Sequence, residues 1–312
     1  MKKLQQSRHY LFIETLMKRI RMDDSEASAI QQEFYRLEAG LSGEQKLKRL
    51  LTDFYFKTEF HIFYNFECKN SKGFTHQMDA LLLTPNFVLV IEVKQISGTL
   101  FYKPSLHEFF RVQDQISENF PNPFDQAYRH QLFLEHQLKA WQISIPVYHI
   151  VVLANYRAKL DESLNNFPIM HMSGIPRFIE KLYKQHPKPR AHITFLQKQF
   201  EQLYEPLPPR RTIEKHRLRT GVLCKQCDYV NEMHYKQGNF ICPVCGAKSK
   251  EALYETLLQY RILVSPRISN KAFREFFNIH CIHIASKLLA KAGLEKHGAN
   301  KGTYYIIPEK FE

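Results

Sequence analysis

The run Phe87-Val88-Leu89-Val90-Ile91 is apolar on both of its alternating faces, and it constrains the fold more than any other stretch of the chain. A strand without a polar face has to be covered on both sides, so it belongs inside a sheet with helices above and below. Its surroundings agree. A Thr84-Pro85-Asn86 turn precedes it, and the strand-like segment 77–83 precedes the turn, which makes an antiparallel pair. Further apolar, β-branched segments at 59–66 and 148–154 read as strands. Asn122-Pro123 supplies an N-cap and first helical residue for a helix to about 140, and a shorter helix is expected near 174–185. Ser42 with Gln45 reads as a capping box opening a helix, whose buried stripe is Leu47, Leu50, Leu51 and Phe54. The expected fold class is α/β (α+β), a mixed central sheet flanked by helices.

Length and composition divide the rest. The 312 residues hold about two or three domains. The expected segments are an N-terminal helical stretch at 1–38, the mixed domain at 39–205, a linker at 206–219, a cysteine-bearing module at 220–250 and a mainly helical tail at 251–312. Pro206, Pro208 and Pro209 fix the linker, because proline removes a backbone donor and stops both helix and sheet. Hydrophobic residues at 44% and charged residues at 24% exclude a disordered chain. Lysine and arginine number 44 against 31 acids, a net charge of +13, which favours a polyanionic partner such as nucleic acid or an anionic membrane. No apolar run approaches the ~20 residues of a spanning helix. Met1-Lys2-Lys3 resembles the start of a signal peptide, but Glu14 and Lys18 interrupt the apolar stretch beyond it, and Phe12, Ile13, Leu16, Met17 and Ile20 are spaced as a helix. The expected location is therefore cytoplasmic, with no membrane partner.

Charge enters the apolar pair at one place. Glu92 and Lys94 end the second strand two residues apart, on one face, and an antiparallel turn at 84–86 brings Asp79 alongside. Charges at the margin of an apolar sheet are costly unless they pair or bind something. Adjacent carboxylates suit a hard divalent cation, and a lysine beside them complements charge building on a phosphate. A simple ion pair at the rim of the sheet is the plainer alternative.

These residues resemble the nuclease-related domain of the PD-(D/E)xK nuclease superfamily. The family pattern appears as Gly43-Glu44, Asp79, Glu92-Val93-Lys94 with Gly98, and Asn122-Pro123 with Gln126, over roughly residues 40 to 155. Gln95 departs from the Asn often found there, and no tryptophan stands between Lys94 and Gly98. The resemblance implies a restriction-endonuclease-like fold and Mg²⁺- or Mn²⁺-dependent cleavage of DNA. It implies Asp79 and Glu92 as metal ligands, with Glu44, Lys94 and Gln126 completing the catalytic set. A DNA-binding protein that keeps the fold only as a recognition scaffold is the alternative, and RNA is not ruled out as substrate.

Cys224-Lys225-Gln226-Cys227 and Cys242-Pro243-Val244-Cys245 form two Cys-x-x-Cys pairs, a spacing suited to a structural zinc site. Four thiolates fill the zinc shell, and the module resembles a zinc ribbon. A redox pair would need only one such motif, and His234 between the pairs is an alternative ligand. Cys68 and Cys281 stand alone, so no disulfide framework is expected. In the tail, a Ser269/Asn270 cap opens one short helix, and 282–289 forms a second with Ile282, Ala285, Leu288 and Leu289 facing inward. A basic glycine-containing loop and a final strand at 303–307 come next, as in a helix-turn-helix with a small wing. His283, Ser286, Lys287, Lys291, Lys296 and Lys301 are the expected DNA contacts. A helical bundle packed on the rest of the chain is the alternative.

Overall fold

The computed structural model describes residues 6–311. Its elements begin with α1 (Arg8–Arg19), α2 (Ala27–Asp53), β1 (His61–Lys69), β2 (Thr75–Leu83), β3 (Val88–Lys94) and β4 (Gly98–Lys103). Next come β5 (Glu108–Gln113), β6 (Ile116–Phe120), α3 (Pro123–Ala140), β7 (Val147–Leu153), β8 (Ala158–Leu160), β9 (Ile169–His171), α4 (Ile175–Gln185) and α5 (Ile193–Leu203). Beyond the prolines lie β10 (Val222–Leu223), β11 (Glu232–Lys236), β12 (Asn239–Ile241), β13 (Lys248–Ser249) and α6 (Ala252–Leu263). The chain closes with β14 (Arg267–Ile268), α7 (Asn270–Phe277), α8 (Ile282–Lys291), β15 (Glu295–His297) and β16 (Tyr304–Ile306). Two compact units result, one of Arg36–Leu207 and one of Arg8–Tyr35 with Pro208–Glu312.

The first unit is built on a five-stranded sheet in the order β1-β2-β3-β7-β9. Strands β1, β2 and β3 pair antiparallel, whereas β3, β7 and β9 run parallel, so the sheet is mixed as the sequence implies. Strand β3 is covered on both sides. Leu89 and Ile91 pack with Leu47 and Leu51 of α2 and with Ile175 and Ile179 of α4, while Val88 and Val90 face Leu134 of α3 and Leu196 of α5. A second sheet, β6-β5-β4-β8, adjoins a third core of Leu100, Tyr102, Phe109 and Phe124. Gly98 begins β4 with φ +87, and an added Cβ would stand 3.0 Å from the Val112 carbonyl, so only glycine fits that corner.

Side-chain alternation fails beside the charged residues. Met78 lies in the core that faces α3 and Ala80 in the core that faces α2, although two residues on one strand should share a face. The parity switches across Asp79. Opposite it on β1, Asn65 takes φ +51, and the ladder pairs Tyr64 with Ala80 and Phe66 with Met78 but skips Asn65 and Asp79. A kink of this kind re-aims a side chain at a functional edge of a sheet.

The cap expected at Ser42 is not a helix start. Helix α2 runs unbroken from Ala27 to Asp53, with Ser42 exposed inside it. Residues 27–41 are rich in alanine, glutamine, glutamate and leucine, and these helix formers carry the helix through a position that would otherwise favour a cap. By contrast, Asn122 does cap α3: its side chain accepts from the N–H of Phe124 at 2.9 Å, with Pro123 in the first turn.

In the second unit, Arg19 is fully buried and ties separate segments together. Its Nε donates to Gln259 Oε1 at 2.6 Å, one terminal nitrogen donates to the carbonyls of Arg219 and Gly221, and the guanidinium lies over the Phe276 ring. Burial lowers its pKa to about 9, which still leaves it charged at neutral pH. A small sheet, β10-β11-β12-β13, carries the paired cysteines. Helix α6 precedes a three-stranded antiparallel sheet in the order β14-β16-β15, and α7 and α8 lie in the chain between β14 and β15. Ser269 caps α7 by accepting from the N–H of Ala272. Ile282 is not inward: it is 53% exposed, because Ala285, Leu288 and Leu289 already fill the buried face of α8. Among the described residues, no helix is long and apolar enough to cross a membrane.

Candidate functional site

Four elements of the first unit converge at the end of β3. Asp79 arrives through the kink in β2 and accepts the backbone N–H of Val93 at 2.7 Å, so its carboxylate enters between Glu92 and Lys94. Glu92 and Lys94 project together, and Lys94 Nζ donates to Glu92 Oε1 at 2.7 Å. Gln126, in the first turn of α3, accepts from the same Nζ at 3.3 Å. Glu44 comes from α2. The preceding Gly43 lets that helix approach closely, since a Cβ there would stand 3.1 Å from Val93 Cγ1 and 3.2 Å from Ala154 Cβ. Every residue expected at this place, Glu44, Asp79, Glu92, Lys94 and Gln126, is at or beside it.

The electrostatics are those of crowded acids, Glu92 buried and Glu44 and Asp79 half-buried. Burial, then the charge of Asp79, pushes the Glu92 carboxyl up to about 8, against the opposing pull of Lys94. Burial, with Asp79 and Glu92, likewise brings Glu44 to about 8. Burial also raises Asp79, offset by Lys94 and the Val93 N–H. For Lys94, burial pulls down, but Glu92 and Asp79 outweigh it and hold the ammonium above its ordinary value. Glu92 is only 2% exposed, and its Oε2 has no hydrogen-bond partner. An orphaned carboxylate oxygen beside a second carboxylate is the donor set a hard divalent cation needs. The acids do not form a closed three-ligand cage of atoms mutually within 4.8 Å among the described residues. Mg²⁺ does not require one, since it commonly takes one or two carboxylates and keeps waters.

Neighbours the sequence did not single out also bear on the site. Lys46, two residues after Glu44, donates to the Ala154 carbonyl at 3.2 Å. His130 lies one helical turn beyond Gln126 and meets His76 Nδ1 to Nδ1 at 3.0 Å. Burial lowers His130 to about 3 and His76 to about 4, so both are neutral and one ring donates to the other. The spacing of Gln126 and His130 was the available signal for His130; His76 and Asn65 had none.

In the second unit, the Sγ atoms of Cys224, Cys227, Cys242 and Cys245 lie within 4.8 Å of one another, with Cys224 to Cys245 at 3.6 Å and Cys227 to Cys242 at 3.9 Å. Tetrahedral zinc with Zn–S of about 2.3 Å sets its sulfurs about 3.8 Å apart. The cluster can hold a metal such as zinc and is consistent with a zinc ribbon. The backbone N–H groups of Cys245 and Val244 bring the Cys242 thiol down to about 7, while burial raises Cys224 to about 12. Gly246 closes the second knuckle with φ +72. His234 is exposed and stands outside the cluster.

On the tail, His283, Ser286, Lys287, Lys291 and Lys296 are exposed. Asn270 Nδ2 donates to the Ser286 hydroxyl at 3.0 Å. The side chain of Lys301 lies outside the described residues.

A mixed sheet flanked by helices, with two carboxylates and a lysine gathered at a kinked strand edge, defines a restriction-endonuclease-like fold. Residues 39–154 match the family described as the nuclease-related domain. The family suggests dealings with nucleic acid. No curated protein and no solved structure matches the chain.

Proposed function

We propose that the protein is a nuclease that hydrolyses DNA phosphodiester bonds with Mg²⁺ or Mn²⁺, and that its second unit holds structural zinc and binds DNA. The observation that carries the reading is Glu92, whose one oxygen is fixed by Lys94 and whose other is buried without a partner beside Asp79. Asp79 and Glu92 are the residues that would hold the cation. When bound, it would offset charge on the phosphate oxygens and make an attacking water more acidic.

The chain's own groups divide the remaining work. Lys94 stays charged and would donate to the negative charge that grows on the phosphoryl oxygens. Gln126 accepts from the same ammonium and helps to hold it beside Glu92. Glu44 offers a further carboxylate as an acceptor next to the ligands. The four cysteine thiolates fill a zinc shell, which leaves that site a structural role. His283, Ser286, Lys287, Lys291, Lys296 and Lys301 are the proposed DNA contacts of the tail.

Nicking of supercoiled plasmid tests the catalytic claim. With Mg²⁺ the parent chain should relax the plasmid, and Asp79→Ala and Lys94→Ala should each lose that activity while still retaining DNA. Equal activity in parent and variants would move the chemistry elsewhere.

A further inference from the structure

The exposed side of α8 carries more than basic residues. Its inward face is closed by Ala285, Leu288 and Leu289, yet the first turn leaves Ile282 53% and Ile284 37% exposed. At 100° per residue these two lie on opposite flanks of the exposed face, with His283 between them and Ser286 and Lys287 one turn on. Scattered surface aliphatics need no explanation. A pair framing one helical turn inside a basic field is a different case. Between Arg267 and Lys301 the sequence has seven Lys and Arg but only Glu275 and Glu295 as acids. Glu275 is 3.9 Å from Lys271 and Glu295 pairs with His297, so both acids have partners.

Helix α8 comes after α7 across a left-handed turn at Asn278, φ +53, and leads into the β15–β16 ribbon with exposed Lys296. A helix in this setting offers its N-terminal residues to base edges in the major groove. Isoleucine cannot read donors or acceptors. The one apolar group on those edges is the thymine methyl.

We infer that α8 prefers A·T-containing duplex DNA because Ile282 and Ile284 pack against thymine methyl groups in the major groove. The inference rests on the DNA-binding reading of the tail and not on cleavage by the first unit. It makes Ile282 and Ile284 specificity residues, with Lys287 and Lys291 supplying sequence-independent attraction to phosphates.

The test is fluorescence anisotropy of the full chain carrying Asp79→Ala, without added Mg²⁺. The probes are alternating A·T duplexes, the same duplexes with deoxyuridine in place of thymidine, and alternating G·C duplexes of equal length. Replacing thymidine removes only the methyl groups. The thymine duplex should bind about four- to fifteenfold tighter than its uracil twin, as expected for one or two apolar methyl contacts. Combined Ile282→Ser and Ile284→Ser should bind the two alike, whereas Ile284→Val should keep part of the preference. Lys287→Ala should weaken both equally and lower the salt slope by about one.

Equal binding of thymine and uracil duplexes by the parent overturns the inference, as does a preference that survives the double serine variant. A parent dimer that the double variant dissociates at unchanged DNA affinity also overturns it, marking a protein interface instead. A parent that binds no duplex defeats the DNA reading of the tail as well, while plasmid nicking judges the catalytic reading separately.

Discussion

The carboxylate cluster at the end of β3 and the cysteine cluster on β10–β13 are both suited to metal, yet they are assembled in opposite ways. The four thiolates come from one stretch, Cys224 to Cys245, and two short turns suffice to gather them. The acids come from α2, β2 and β3 and meet only once a mixed sheet is complete. Local assembly would make a bound metal part of the fold, because the ligands meet through the turns of one short segment. Long-range assembly lets the sheet offset the desolvation of the acids, and a cation there would add to a fold already formed.

The sharpest way to break this contrast is to remove each site in turn. Cys242→Ser should lose bound metal and unfold its sheet locally, since structural zinc contributes on the order of 10 kcal/mol to such modules. Hydrogen exchange would then show the amides of Val222, Met233 and Phe240 opening while those of Val90 and Ile150 stay protected. Loss of protection in both groups would mean that the two sites are not energetically separate. Lys94→Ala should leave the fold intact and reduce nicking by about 10²–10³-fold, the usual worth of one donor to developing charge. Metal content by elemental analysis should be unchanged at about one zinc per chain.

A pH series sharpens the comparison from the acid side. Glu44 and Glu92 are raised to about 8 in the native state, against 4.5 for the free side chain. Between those values the native chain keeps protons that the unfolded chain releases, so this contribution to stability is complete below about pH 4.5 and lost as pH rises to 8. In buffer without divalent cations, the thermal midpoint should therefore fall from pH 5 to pH 8, by about 3–8 °C for an effect discounted to about 1–2 kcal/mol. Glu92→Gln should flatten the slope. A parent and variant with parallel profiles would show that these carboxyls are not strained.

The smallest effect concerns Ser42. Within a continuous α2 and exposed, Ser42→Ala should change stability by less than about 0.5 kcal/mol or improve it slightly. A loss near 1 kcal/mol in denaturant unfolding would instead be that of a cap.

How far the sequence could be read obeys the same division. Phe87–Ile91 foretold a covered strand, Asn122-Pro123 a capped helix, and the cysteine spacing a four-thiolate cluster, because each is decided by near neighbours. The helix start at Ser42 was misread because propensity summed over residues 27–41 overrode one capping signal. Ile282 was misplaced because two helical registers were open, and only packing shows that Ala285, Leu288 and Leu289 fill the interior. The kink at Asp79 shows only in the structure, where Met78 and Leu81 face the same core despite their odd spacing. Its partner Asn65 lies on another strand, beyond any local pattern. The raised carboxyl pKa values were likewise invisible, since burial depends on what the whole sheet covers.

Whether Asp79 and Glu92 form a cation site decides most of this. The most direct measurement is a Mn²⁺ titration monitored by electron paramagnetic resonance at neutral pH, on the parent and on Glu92→Gln, which preserves shape and an oxygen for Lys94. The parent should bind Mn²⁺ with release of protons as the raised carboxyls ionise, and the variant should lose that binding. Equal Mn²⁺ affinity and equal proton release in the two proteins would contradict the account.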